Sequence, residues 1–158
     1  MKQKLTPCLW SNGKALEAAE FYVSIFPNSR ITQTSYYSDA GPMPKGTVMM
    51  VAFELDGQEF TMLNGGPQYK FTEAVSFQID CTDQDEVDHY WNSLVAGGAE
   101  SMCGWLKDKY GLSWQIIPST LLKLLADKNR TKANRVWKAM LQMSKIEIKV
   151  LKAAYAGK

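Results

Sequence analysis

The chain has 158 residues, 46% of them hydrophobic and 22% charged, and a net charge of +2. This is the balance of a globular protein with a real core, and it excludes a chain too polar to fold. No run of about 18 apolar residues is available to span a bilayer, and no apolar stretch follows Met1–Pro7, so neither a membrane segment nor a secretion signal is expected. The three cysteines, Cys8, Cys81 and Cys103, are odd in number and widely spaced, which fits free thiols in a reducing cytoplasm.

In chain order, Leu5–Trp10 is short and apolar and reads as a strand. Ser11-Asn12-Gly13 then turns the chain. Ala15, Leu16, Ala18, Ala19, Phe21, Tyr22, Ile25 and Phe26 give a helical apolar stripe, closed by Pro27-Asn28. Arg30–Tyr37, rich in Thr, Ile and Tyr, reads as a strand, and the Gly/Pro-dense Ser38–Gly46 as a loop. Thr47–Leu55 and Glu59–Asn64 read as strands joined by a tight hairpin at Asp56-Gly57. Ala74–Cys81 begins a second series. Asp83–Ala96 follows as a helix with Thr82 or Asp83 as its N-cap and Gly97-Gly98 at its end. Glu100–Leu106 is expected as one strand, Asp108–Gly111 as a turn, and Leu112–Ile117 as the last strand, stopped by Pro118.

A shift of 69 residues overlays the two series, placing Phe21-Tyr22 on Tyr90-Trp91, Ser24 on Ser93 and Trp10 on Ile79. The spacing therefore predicts an α+β protein of two like modules, residues 1–70 and 71–118, each in the order strand, helix, strands, the second shorter and with fewer strands located, whose strands form one curved sheet around a cup within one compact unit. Residues 119–158 lie outside the repeat. They are expected to add helices at Leu121–Ala126, Thr131–Met143 and Ile146–Ala156. These residues carry ten Lys/Arg against Asp127 and Glu147, a net of +8, whereas the first 118 residues carry −6. No aromatic–basic interleaving accompanies the charge. The basic tail therefore reads as a solvated helix face, against the acidic body or a second subunit, and not as a nucleic-acid surface.

Three segments carry a family resemblance: Cys103–Pro118, Phe21–Ser29 and Leu63–Pro67. Together with the tail patterns Lys138–Met143 and Lys145–Ile148, they resemble the PhnB-like branch of the vicinal oxygen chelate (glyoxalase/bleomycin-resistance) superfamily. Members of that branch often bear the description 3-demethylubiquinone-9 3-methyltransferase. The resemblance implies the paired βαβββ fold and a homodimer, and it fixes no reaction. A methyltransferase ordinarily holds S-adenosylmethionine on a Gly-rich turn between strand and helix. Here Gly65-Gly66-Pro67 precedes no helix, and Gly97-Gly98 ends one.

Enzymes of the wider superfamily hold a divalent metal with four side chains, usually His, Glu or Gln, from the first and last strand of each module. The metal stabilises an enolate-like intermediate. In sequences of that kind the first-strand ligand lies 14 residues before the first helix aromatic and the last-strand ligand four past the hairpin glycine, so the resemblance implies Pro7 and Ser76, and Thr61 and Gln115, as the equivalent positions. A one-residue slip replaces Pro7 by Cys8. Hydroxyls and an amide are weak neutral donors, so no bound metal and no cofactor are expected. His89, the single histidine, falls in the second helix beside Tyr90 and reads as a surface or packing residue. Catalytic cysteine is disfavoured, because neither Cys8 nor Cys103 has a visible base. Asp56 and Asp108 read as hairpin residues.

The expected function is binding of a small organic molecule, with or without turnover. The site would be a cup of Thr61, Ser76 and Gln115 walled by Trp10, Trp105 and Cys8. Thr61 should share a face with Leu63, Ser76 with Gln78, and Gln115 with Ile117. Two alternatives stay open: a metal-dependent lyase, isomerase or dioxygenase, and a methyltransferase. The expected partners are a second copy and the ligand, with neither nucleic acid nor membrane. The expected location is the cytoplasm.

Overall fold

A computed structural model describes residues 4–158. The chain divides into two compact units, residues 1–70 and 71–158. The first runs β1 (Cys8–Ser11), α1 (Ala15–Ile25), β2 (Arg30–Tyr36), β3 (Val48–Leu55) and β4 (Gln58–Asn64). Its strands lie in the order β1-β4-β3-β2, with β1 parallel to β4 and the other pairs antiparallel.

Period-two alternation sorts this sheet into two faces. Val51, Phe53 and Leu55 of β3 and Phe60 and Met62 of β4 are buried. Helix α1 buries Ala15, Ala18, Ala19, Tyr22 and Ile25, the helical spacing read from the sequence. The Tyr22 and Phe53 rings stack at 6.3 Å between centroids, and Phe53 and Phe60 at 5.5 Å. Burial of each such large side chain stabilises by about 1.5–3 kcal/mol. The other face has no helix of its own module on it and is only half-buried. The hairpin between β3 and β4 turns on Asp56 and Gly57, with φ of 45° and 81°, the two left-handed residues of a two-residue turn.

The second unit runs β5 (Ser76–Cys81), α2 (Gln84–Val95), β6 (Ala99–Glu100), β7 (Trp105–Lys107) and β8 (Ser113–Pro118), in sheet order β5-β8-β7-β6. Asp83 is the N-cap of α2, accepting a 3.0 Å hydrogen bond from the Glu86 amide. The βαβββ order thus occurs twice. The strands are hydrogen-bonded as two four-stranded sheets and not as one continuous ladder. In each module the first strand pairs in parallel with the last, which closes the ladder within the module and leaves the first strand at its edge.

The single strand expected at Glu100–Leu106 is two. Cys103 and Gly104 both take left-handed backbone, with φ of 61° and 85°, and break it. Their amides donate to the Met143 and Ser144 carbonyls at 2.7 and 2.8 Å instead of joining a ladder. A side chain at Gly104 would meet the Ile116 carbonyl at 2.8 Å, so the close approach requires glycine.

Three helices complete the second unit: α3 (Ser119–Leu125), α4 (Arg130–Met140) and α5 (Ile148–Ala156). Helix α4 stops at Met140, three residues before the expected end, and Ile146 is buried just ahead of α5. Ile117, Leu121, Val136, Met140, Ile146 and Leu151 form one buried cluster, so the tail packs on the end of β8. Arg135 donates to the Ala154 and Tyr155 carbonyls at 2.8 and 2.6 Å, answering the open C-terminus of α5. No helix among the described residues is long and apolar enough to cross a membrane.

Candidate functional site

In the first module the open sheet face is built in rows. Cys8 pairs with Thr61, and Thr61 with Ala52. One row along, Trp10 pairs with Leu63, and Leu63 with Met50. Leu9 and Met62, between the rows, are buried on the helix side. Thr61 and Leu63 therefore share a face, as expected. The register also decides between Pro7 and Cys8. Cys8 is the first-strand residue on the Thr61 row, while Pro7 lies before β1 and accepts the Thr61 amide at 2.9 Å. The count that gave Pro7 is corrected by one residue.

Trp10 is half-buried, and its indole N–H donates to the Gly66 carbonyl at 2.8 Å. Tyr69 meets it edge-on at 4.9 Å. A Cβ at Gly65 would overlap the Trp10 ring. The Gly65-Gly66 pair is thus the seat of an indole. No helix follows it before β5.

The second module has the same arrangement with different chemistry. Gln78, Gln115 and Trp105 form one row, and Ser76, Ser113 and Lys107 the next. Phe77, Trp114 and Leu106 occupy the opposite face. Ser76 shares its face with Gln78, and Gln115 with Ile117, whose side chain joins the cluster formed with the C-terminal helices. Gln115 donates its amide to the Ser76 hydroxyl at 2.8 Å. Gln78 donates likewise to Asp80 at 2.7 Å. Trp105 is half-buried beside Gln115.

The remaining candidates fall elsewhere. His89 is exposed on α2, edge-on to Tyr90 at 5.0 Å. Cys81 is buried, and burial, reinforced by the nearby carboxylates of Glu86, Asp80 and Asp83, pushes its thiol up to about 12. Such a thiol stays protonated and inert near neutrality. The Cys103 thiol donates to the Met140 carbonyl at 3.7 Å. Asp108 is buried, and its carboxylate accepts from the Tyr110 and Leu112 amides and from the Trp114 indole, a bracket for the turn before β8. Sequence reasoning passed over Ser113 and Lys107. The signal was available, since Ser113 lies two residues before Gln115 on the same strand and therefore on the same face.

These donors do not fit a tightly held divalent metal. Among the described residues no three His, Cys, Asp or Glu side chains gather. In the first module the thiol of Cys8 has a hydroxyl and a methyl as row neighbours. In the second, Gln115 and Ser76 are neutral side chains, the Gln115 amide N–H donating to the Ser76 hydroxyl oxygen. Neutral donors of this kind suit hydrogen bonding to an organic molecule.

The comparisons with known proteins agree with this architecture. Residues 3–117 match the family model described as 3-demethylubiquinone-9 3-methyltransferase. The PhnB protein of Bacillus cereus, whose description is of a 3-demethylubiquinone-9 3-methyltransferase, is 38% identical, with a TM-score of 0.68 over 74% of this chain and 100% of that one. PA1353 of Pseudomonas aeruginosa shares the fold at 17% identity and a TM-score of 0.62, covering 74% and 98% of the two chains. The fosfomycin resistance protein FosX of Listeria monocytogenes shares it at 14% identity and a TM-score of 0.54, covering 78% and 98%. FosX has also been crystallised with Mn(II) and sulfate. No curated protein matches the sequence. With two βαβββ modules in place and three-quarters of its length matched, the chain belongs to the 3-demethylubiquinone-9 3-methyltransferase family, in the PhnB-like branch of the vicinal oxygen chelate superfamily.

Proposed function

We propose that this protein binds a small organic molecule on the open faces of its sheets and orients it by a few neutral hydrogen bonds instead of a metal. The observation that carries the reading is the Gln115–Ser76 hydrogen bond. At two of the four positions where metal-dependent relatives place ligands, the side chains are neutral and already paired with each other. The first module's open face offers Thr61 and Cys8 with Trp10 as its amphipathic wall, and the second module's face has Trp105 as its own. A face of this kind gives little stabilisation to a developing enolate, so metal-type glyoxalase chemistry is not its task. The protein acts in the cytoplasm as a homodimer, since open sheet edges and apolar faces are surfaces that a two-fold partner covers.

The test is direct. Untagged protein is purified, its metal content measured, and zinc, nickel and manganese titrated by calorimetry. S-adenosylmethionine is titrated in parallel, because the family description names a methyltransferase. No stoichiometric metal and no S-adenosylmethionine binding are expected, while a thermal-shift library of small organic molecules should yield stabilising ligands. Stoichiometric binding of any of the three metals, or metal-dependent turnover of a substrate with two neighbouring oxygens, would overturn the reading.

A further inference from the structure

Ser113 is fully buried, and its hydroxyl has no hydrogen-bond partner, the one such buried side-chain atom among the described residues. Buried polar groups are almost always answered, so an orphan on a functional face asks for a ligand. Its neighbours across the sheet are Ser76 on β5 and Lys107 on β7. The Ser76 hydroxyl oxygen accepts from the Gln115 amide. Lys107 forms an ion pair with Glu73, three residues before Ser76. An ion pair from β7 to the approach of β5 must reach across β8 at the level of Ser113. A cleft of about 190 Å³ opens here, lined by Glu73, Glu100, Ser101, Trp105, Lys107 and Ser113 among others.

We propose that this cleft binds a short-chain monocarboxylate, whose carboxylate replaces that of Glu73 on Lys107 and accepts a hydrogen bond from the Ser113 hydroxyl. The inference rests on the reading of the open face as a ligand surface, adds one charged contact to its neutral donors, and names the ligand class. Two donors, an ammonium and a hydroxyl, stand side by side on one row, the pattern that a carboxylate answers with its two oxygens. Glu73 already plays that part from within the chain. Its carboxyl is held below the usual range, first by the hydrogen bond from Lys107. The Glu73 and Lys107 side chains are 61% and 40% exposed, so the internal pair is weak and exchangeable. Trp105 offers an apolar wall for a short carbon chain. Glu100 at the rim opposes a second negative charge.

The experiment follows the indole N–H resonance of Trp105 in the ¹⁵N-labelled full chain, assigned with Trp105→Phe, during titration with butanoate and with uncharged butanamide. Butanoate should give a saturable shift. Ser113→Ala and Lys107→Met should each weaken it by about tenfold, the loss of one charge-assisted hydrogen bond. Glu73→Gln should tighten it by about threefold, because an exposed internal competitor is removed. That gain is a result that a merely structural role for the ion pair would not produce. Well-dispersed spectra certify that each variant is folded. Absence of a saturable butanoate shift, unchanged affinity in Ser113→Ala, or weaker binding in Glu73→Gln would overturn the inference. If butanamide binds and butanoate does not, the carboxylate class falls and the ligand-surface reading stands. If neither probe nor any member of the thermal-shift library moves a resonance of β5, β7 or β8, both fall.

Discussion

The two modules share one order of elements and hold it together differently. In the first, the edge is long: β2 has seven residues and β3 eight, and they form their own ladder. In the second, β6 has two residues and β7 three, and the turn between them hangs from the carbonyls of Met143 and Ser144. What the short strands lack in ladder hydrogen bonds, the C-terminal segment supplies. The helix starts differ in the same way. Helix α2 is capped by Asp83, its own N-cap residue. Helix α1 has no side-chain cap at Lys14, and Asn64 on β4 reaches across to accept the Ala15 amide at 3.0 Å while donating to the Val48 carbonyl at 3.0 Å. One module thus borrows its cap from a distant strand, and the other borrows its edge from a distant tail.

The sharpest way to break the comparison is at the two hairpin aspartates. Asp108→Ala leaves the Trp114 indole and two backbone amides without their acceptor in a buried setting, an expected loss of about 3 kcal/mol or more. Asp108→Asn should rescue little, since its single amide oxygen cannot serve both the turn amides and the indole. Asp56→Ala, by contrast, places alanine in left-handed backbone and removes one exposed 3.4 Å hydrogen bond from Asn28, an expected cost of about 1 kcal/mol. Urea unfolding of the three variants measures this, and equal losses at Asp56 and Asp108 would show that the two turns are equivalent after all. Next in size is the cap. Asn64→Ala should cost about 2 kcal/mol, because the buried Ala15 amide and the half-buried Val48 carbonyl lose partners, whereas Asp83→Ala at an exposed N-cap should cost about 1 kcal/mol.

Much of this was legible in the sequence because it rests on local periodicity. The α1 stripe, the Asp56-Gly57 turn, a cap of α2 at Thr82 or Asp83, and the shared faces of Thr61 with Leu63 and Gln115 with Ile117 all follow from residues a few positions apart. What was not legible depends on partners far along the chain. The break at Cys103-Gly104 is fixed by amides that find Met143 and Ser144, some 40 residues on. The cap of α1 comes from 49 residues away. The choice between Pro7 and Cys8 needed the parallel register of β1 on β4, and a one-residue slip reverses every side chain. Gly65-Gly66 had no role in the sequence beyond ending the first series, and the Trp10 ring above it gives the two glycines a packing one.

The smallest expected effect lies where the tail meets α2. Lys145 pairs with Asp88 at 2.6 Å and with Glu147 at 3.5 Å, and Gln84 adds a 3.0 Å hydrogen bond to Asp88. The Lys145 hydrogen bond, followed by that of Gln84, holds the Asp88 carboxyl below its usual range. The hydrogen bond to Asp88 holds the Lys145 ammonium above its own. A depressed carboxyl contributes stability above its unfolded value and loses it as pH falls through the folded one. A raised ammonium contributes below its unfolded value and loses it as pH rises through the folded one. The pair therefore stabilises across the whole neutral range and fades at both extremes. Asp88 and Lys145 side chains are 41% and 28% exposed, so solvent screening limits the contribution to below about 1 kcal/mol. The stability difference between wild type and Lys145→Met, measured by urea unfolding, should be greatest at neutral pH. It should shrink as Asp88 protonates in strong acid, shrink again in strong alkali, and fall with added salt. A difference that grows toward acid, or ignores salt, would show that Lys145 holds the tail through the packing of its methylene stem and not through its charge.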